Sequence, residues 1–246
     1  MKLPLLCAAA ALLPLAACGE EAVGDAQTRT AVAGPVGQNA PAGGWVAAVA
    51  DTPEGGVRMG NPNAPVKIVE FASLTCSHCA NFSKTGAEPL KQRYISTGNV
   101  SWEIRPFVSS GLDLAAVLLA RCNGPQPFFP ISEQLFETQN EWIGRVQQLP
   151  RDQLAQLGEM QPEQQVATFA RAAGLDQFVR QRGVPEAKAQ ACLSDRAAID
   201  RIVQSNNAAI QQHNIPGTPT FLINGEMAQG ATTWAQLEPL IQAELS

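Results

Sequence analysis

Val66-Lys67-Ile68-Val69-Glu70-Phe71-Ala72 leads, through Ser73-Leu74-Thr75, into Cys76-Ser77-His78-Cys79. The first stretch is an apolar, β-prone run and reads as a strand. The second places two thiols on what would be the first turn of a helix. Thiols at that spacing can close a small disulfide and open it again. A disulfide that opens easily is a reagent rather than a staple, so the rest of the chain is read for the surroundings such a reagent needs.

The six cysteines divide by position. Cys7 lies in an apolar N-terminal run, Leu3 to Ala17, that follows the single early charge Lys2. That run reads as an export signal, too short for a comfortable membrane span. Leu15-Ala16-Ala17-Cys18 resembles the lipobox of bacterial lipoproteins, which implies cleavage before Cys18 and a lipid on its sulfur. The other reading of Cys18 is a passenger in a signal cut a few residues later. Four cysteines then remain: Cys76, Cys79, Cys122 and Cys192. Disulfides persist in exported proteins. If the close pair belongs together, Cys122 is left with Cys192, closing a loop of roughly 70 residues, which the chain-entropy model values at about 4 kcal/mol. The alternative is two free buried thiols. Zinc needs four ligands, commonly as two close pairs. A second Cys-x-x-Cys is lacking, and the two histidines, His78 and His213, are not spaced as ligands, so no metal is expected.

Residues 18–58 are rich in Ala, Gly, Pro, Thr and Gln and read as a flexible tether. Trp45 is the exception there, either docked on the domain or a stray aromatic. Residues 59–246 suffice for one domain with an insertion. The chain is mildly acidic, with 17 Lys and Arg against 22 Asp and Glu and a net charge of −5. It has no basic run, which disfavours nucleic-acid binding.

After the first strand, a helix is expected at about 77–96, with Pro89 kinking or breaking it. Asn99 to Phe107 alternates, with Val100, Trp102 and Ile104 on one face, and reads as a strand. Strand, helix, strand is the crossover of a parallel pair. Helices are expected at 112–122, 130–139, from Pro162 to near Gly174, and at 175–182, 185–193 and 197–213. Thr220 to Ile223 reads as a strand, Asn224-Gly225 as a tight turn, and 226–228 as a short strand. Thr232 or Thr233 then caps a last helix, 234–244. This is an α/β sheet carrying an inserted helical domain.

Cys-x-x-Cys at a strand-to-helix junction, mid-chain helices, and a late Gly217-Thr218-Pro219-Thr220-Phe221 together resemble the DsbA-type thioredoxin-fold oxidoreductases. The resemblance spans roughly Met59 to Ser246 and implies a thioredoxin fold with a helical insertion at about 109–195. It implies that Cys76 is the exposed nucleophile, Cys79 the buried resolving cysteine, and His78 the histidine between them. It implies that Pro219 is a cis-proline beside the disulfide, preceded by Thr218. Glu70 matches an acidic residue six positions before the first cysteine. There a partly buried carboxylate would move protons to and from Cys79. On the residues alone, Glu70 could equally be an edge-strand carboxylate facing water. Ser77 departs from the proline common at its place.

A cysteine at a helix N-terminus is held as thiolate by unpaired N–H groups and the helix dipole. A cationic or donating His78 would add to that, and such a protein gives its disulfide away. The leading expectation is therefore a dithiol oxidase forming disulfides in exported proteins. It would work in the periplasm on thiol- or disulfide-containing substrates, with a membrane or thiol redox partner, as a monomer without a bound cofactor. A reductase or isomerase of the same fold stays open, because threonine before the proline resembles isomerases as much as oxidases. A non-catalytic lipoprotein using the fold as a binding module is the third reading.

Overall fold

In the computed structural model, residues 40–246 are described. The expected signal at 1–17 and the lipidation candidate Cys18 lie outside the described residues. The sheet has six strands in the order β1-β2-β4-β3-β5-β6: β1 Val49–Asp51, β2 Val57–Gly60, β3 Val66–Ala72, β4 Val100–Pro106, β5 Thr220–Ile223 and β6 Glu226–Met227. Helix α1, Ser77–Arg93, crosses from β3 to its parallel neighbour β4. The other strand pairs are antiparallel.

The central strand β3 is covered on both sides, which explains why five of its seven residues are apolar and only Lys67 is exposed. Ile68 and Ala72 point into the main core with Phe82 and Leu90 of α1 and Trp102 and Ile104 of β4. Val69 and Phe71 point the other way, into a smaller core completed by Ala209, Ile215 and Leu222. Ala209 comes from α9, Arg196–His213. Between β4 and α9 stand seven helices: α2 Gly111–Ala120, α3 Phe128–Glu137, α4 Gln139–Gln147, α5 Arg151–Glu159, α6 Pro162–Ala173, α7 Leu175–Arg180 and α8 Glu186–Leu193. The chain closes with α10, Trp234–Glu244.

Cys122 and Cys192 are joined by a disulfide, their Cα atoms 5.8 Å apart, tying the end of α2 to α8. Between β5 and β6, Asn224 and Gly225 both have positive φ, 51° and 90°, as a type I′ hairpin turn demands. Asn224 is pinned to β3 as well: the Lys67 N–H donates to its Oδ1, and its own N–H donates to the Lys67 carbonyl, both at 2.9 Å.

Three expectations need correction. The tether does not reach residue 58. A short 3-10 turn at Trp45–Ala47 and strands β1 and β2 belong to the fold, with Val57 opposite Ile104 and Met59 opposite Trp102. Strands of three and four residues are too short to show a period, and Thr52-Pro53-Glu54-Gly55-Gly56 reads locally as linker while it forms the turn between them. Trp45 is docked, only 8 % exposed. Helix α1 runs continuously through Pro89 but stops at Arg93, short of the expected 96. Helices α4 and α5 were not foreseen, because their polar, Gln-rich faces carry few apolar residues.

Candidate active site

Cys76 is the N-cap residue of α1, with extended backbone (φ −84°, ψ 123°) and its carbonyl accepting from the Ala80 N–H at 3.1 Å. Its side chain is half-buried, while Cys79, one turn into the helix, is fully buried; both are free thiols. Ser77 and His78 between them are exposed.

The two thiols differ strongly in acidity. Cys76 is lowered from 9.0 to about 5. The largest cause is a hydrogen bond from the Cys79 thiol; the Thr218 side chain and the backbone N–H groups of Cys79 and His78 act in the same direction, against partial burial. His78 thus contributes through its amide, as a helix N-terminus does. Cys79 is pushed far up by burial and by its neighbours Cys76 and Glu70. One sulfur is poised as thiolate and the other is held as thiol.

The loop Gly217–Thr220 lies against this pair. The Thr218–Pro219 peptide is cis, and the Cys76 thiol donates to the Thr218 carbonyl at 3.1 Å. Only the protonated thiol can use that carbonyl, so Thr218's backbone and its side chain pull in opposite directions.

Glu70 is on the central strand β3, 2 % exposed, and not at a sheet edge facing water. Alternation along β3 puts it on the face of Ile68 and Ala72, beneath α1. Its Oε2 accepts from the Trp102 indole N–H at 3.0 Å. Burial raises the carboxyl from 4.5 to about 8, a rise the Trp102 bond partly offsets.

Two residues that sequence reasoning missed hold the loop leading into the motif. Asp113 of α2 is fully buried. Its Oδ1 accepts from the Leu74 N–H at 2.9 Å, and its Oδ2 accepts from the Ser73 hydroxyl at 2.7 Å and the Ser109 N–H at 3.2 Å. Burial raises Asp113 to about 6 against the pull of these bonds. Gln139 of α4 donates to the Leu74 carbonyl at 2.8 Å and the Cys76 carbonyl at 3.0 Å. A signal for Asp113 was present, as the one charge in Leu112-Asp113-Leu114-Ala115-Ala116-Val117. Gln139 gave none. Among the described residues no three His, Cys, Asp or Glu side chains gather as a metal cage would require.

A two-thiol helix start beneath a cis-proline loop, on a mixed sheet with helices on both faces, defines the thioredoxin-fold class in its DsbA-type arrangement. The chain belongs to the thioredoxin family, whose model, described as "Thioredoxin", matches residues 52–243. It is similar to a solved protein-disulfide isomerase from Novosphingobium aromaticivorans, with 30 % identity, a TM-score of 0.74, and coverage of 77 % of this chain and 96 % of that one. It shares its fold with Wolbachia pipientis alpha-DsbA1, at 22 % identity, a TM-score of 0.63, and 79 % and 92 % coverage. A Rickettsia bellii relative named "Putative protein-disulfide oxidoreductase" is 28 % identical over 168 residues, 68 % of this chain and 56 % of that protein. The chain spans about half the length of the Rickettsia relatives it matches.

Proposed function

We propose that the protein is an extracytoplasmic thiol:disulfide oxidoreductase that acts chiefly as a dithiol oxidase on exported proteins. A substrate thiolate attacks Cys76, a mixed disulfide forms there, and Cys79 leaves. A second substrate thiol then displaces Cys76, releasing the substrate's disulfide and the reduced pair. The reverse sequence, with Cys79 attacking the mixed disulfide, is the reductive reaction.

The observation that carries the direction is the depressed Cys76 thiol. A folded value near 5 against 9.0 means that the reduced form gains stability as pH rises from 5 to 9, and loses that gain as pH falls through 5. At pH 7 two of the four units are realised, about 2.7 kcal/mol before screening. Cys76 is half-exposed, so solvent brings this down to about 1–2 kcal/mol, on the order of 20–40 mV toward a stronger oxidant. Glu70, protonated at neutral pH, supplies the proton that the buried Cys79 needs when it leaves as a thiolate.

A second reading, disulfide isomerisation or reduction, is favoured by Thr218 before the proline and by the likeness to the Novosphingobium isomerase. The equilibrium potential of Cys76/Cys79 against glutathione separates oxidase from reductase, and recovery of activity from a scrambled-disulfide protein tests the isomerase reading. A value more positive than about −200 mV supports the oxidase, and a value near thioredoxin's, about −270 mV, overturns it in favour of a reductase. A pair that does not exchange leaves the non-catalytic binding module. The site of action rests on the N-terminal signal, and the lipid anchor on Cys18. Mass spectrometry of the mature N-terminus tests both: a cut elsewhere with no lipid removes the anchor.

A further inference from the structure

Glu70 is sealed beneath α1, yet the reaction asks it to give up a proton and regain one at every turnover. Its Oε2 has the Trp102 indole, but among the described residues none donates to its Oε1. Beside it lies a small cavity in which the space open to a water-sized sphere's centre is about 10 Å³, enough for one water. Ser132 of α3 opens onto the same cavity. It is 2 % exposed, and its hydroxyl has no hydrogen-bond partner among the described residues. A serine in mid-helix ordinarily turns back to a carbonyl of its own helix or reaches solvent; this one does neither. A buried hydroxyl, an unused carboxyl oxygen and room for one water are the setting in which an internal water completes the bonding.

The far side of the cavity gives a way out. Ser83, Glu133 and Phe136 line both this cavity and a solvent-open groove of about 570 Å³ between α1 and α3. Ser83 and Glu133 are only partly buried. Glu70, Ser132 and the two rim residues thus border one small space, and Ser132 also borders a second cavity lined by apolar side chains.

We propose that Ser132 positions a single buried water against Glu70, and that this water exchanges the Glu70 proton with solvent at the Ser83–Glu133 rim of the α1–α3 groove. The inference rests on the reading of Glu70 as the acid for Cys79. When a substrate thiolate attacks Cys76, a sulfur–sulfur bond to Cys76 forms. The Cys76–Cys79 bond breaks with its electron pair on Cys79. Glu70 gives its proton to Cys79 and becomes a carboxylate. The water returns a proton to Glu70 and takes one from solvent at the rim. Only the two disulfide partners change oxidation state, and the reductive direction runs the proton outward by the same path.

The test uses the oxidised full-length chain mixed with excess reduced glutathione at pH 7. Appearance of the Cys79 thiol is followed by quenched alkylation and mass spectrometry. Glu70→Gln is expected to slow the step about 100-fold, and Ser132→Ala about tenfold, with Ser132→Thr recovering most of the loss. The Ser132 variants should leave the urea midpoint near that of the parent, so that a slower rate is not a looser fold. If Glu70→Gln slows the step and Ser132→Ala stays within about twofold, the water route is wrong and the acid role of Glu70 stands. If Glu70→Gln itself stays within about twofold, both readings fall. A crystal structure supplies a check that needs no variant. A water within about 3.2 Å of both Ser132 Oγ and a Glu70 carboxyl oxygen is expected, and a dry cavity overturns the proposal.

Discussion

Replacing Glu70 by glutamine should change how stability depends on pH, by an amount that follows from burial. The carboxyl titrates near 8 in the folded chain against 4.5 unfolded. A raised folded value means its stabilising share is complete below pH 4.5 and is lost as pH rises through 8. Between pH 4.5 and pH 7 the unfolded state sheds the proton while the folded state keeps it. The parent therefore loses about 3 kcal/mol over that interval from this group, and about 5 kcal/mol once pH exceeds 8. Glutamine has no proton to lose. Its oxygen can still accept from the Trp102 indole, and any cost of its unpaired N–H groups does not vary with pH. Asp113, raised to about 6, titrates in both proteins and cancels in the difference. The assay is urea unfolding by far-ultraviolet circular dichroism at half-unit steps from pH 4.5 to 8.5, with Cys76 and Cys79 reduced and the other disulfide intact. The stability of E70Q minus that of the parent should climb by about 3 kcal/mol between pH 4.5 and 7. A difference flat within about 1 kcal/mol would refute the claim that Glu70 is held protonated by burial.

Further outcomes are expected at other positions. Alkylation of Cys76 should titrate with a midpoint near pH 5, leaving Cys79 unreacted; a midpoint above about 8 would remove the case for a stabilised thiolate. Replacing Cys122 and Cys192 together by serine opens a loop of 70-residue separation and should cost about 4 kcal/mol in urea unfolding, while thiol exchange at Cys76 persists. Asp113→Ala strands the Leu74 N–H in the interior and takes the carboxylate acceptor from the Ser109 N–H and the Ser73 hydroxyl, the last of which keeps Thr75 as a partner; the loss should be about 3 kcal/mol. The substitution should also raise the Cys76 alkylation midpoint by loosening the N-cap, and an unmoved midpoint would show that the loop holds its shape without the Asp113 bonds.

The motif-bearing half of the fold was plain in the sequence because its signals are local. The apolar run of β3, the alternation of β4 and the Asn224-Gly225 turn each announce themselves within a few residues. The late Thr218-Pro219 was assigned to the site only through a family pattern, since nothing local says that it returns to residue 76. What escaped was set by partners far along the chain. Strands β1 and β2 exist because β4 offers an edge to pair with, and their own residues are too few to show it. Gln139 looks like any surface glutamine until α4 brings it against Leu74 and Cys76. Ser132 sits in an ordinary amphipathic stretch, and only packing reveals that its hydroxyl faces inward. The depth of Glu70 was likewise undecidable from Val69-Glu70-Phe71, where alternation fits an edge strand as well as a covered one.

The bonds from Asp113 and Gln139 reach across from the helical insertion to the loop of the sheet domain. The motif is therefore not a portable cassette. A minimal graft carrying the strands, α1 and the proline loop, but not the insertion, would arrive with Leu74 short of both its amide acceptor and its carbonyl donor. Domain shuffling that trades the insertion for another must supply a buried carboxylate and a carboxamide at the same two places. The helices added to the sheet thus act as a mould for four residues, and their sequence is constrained at that seam well beyond what filling a core would require.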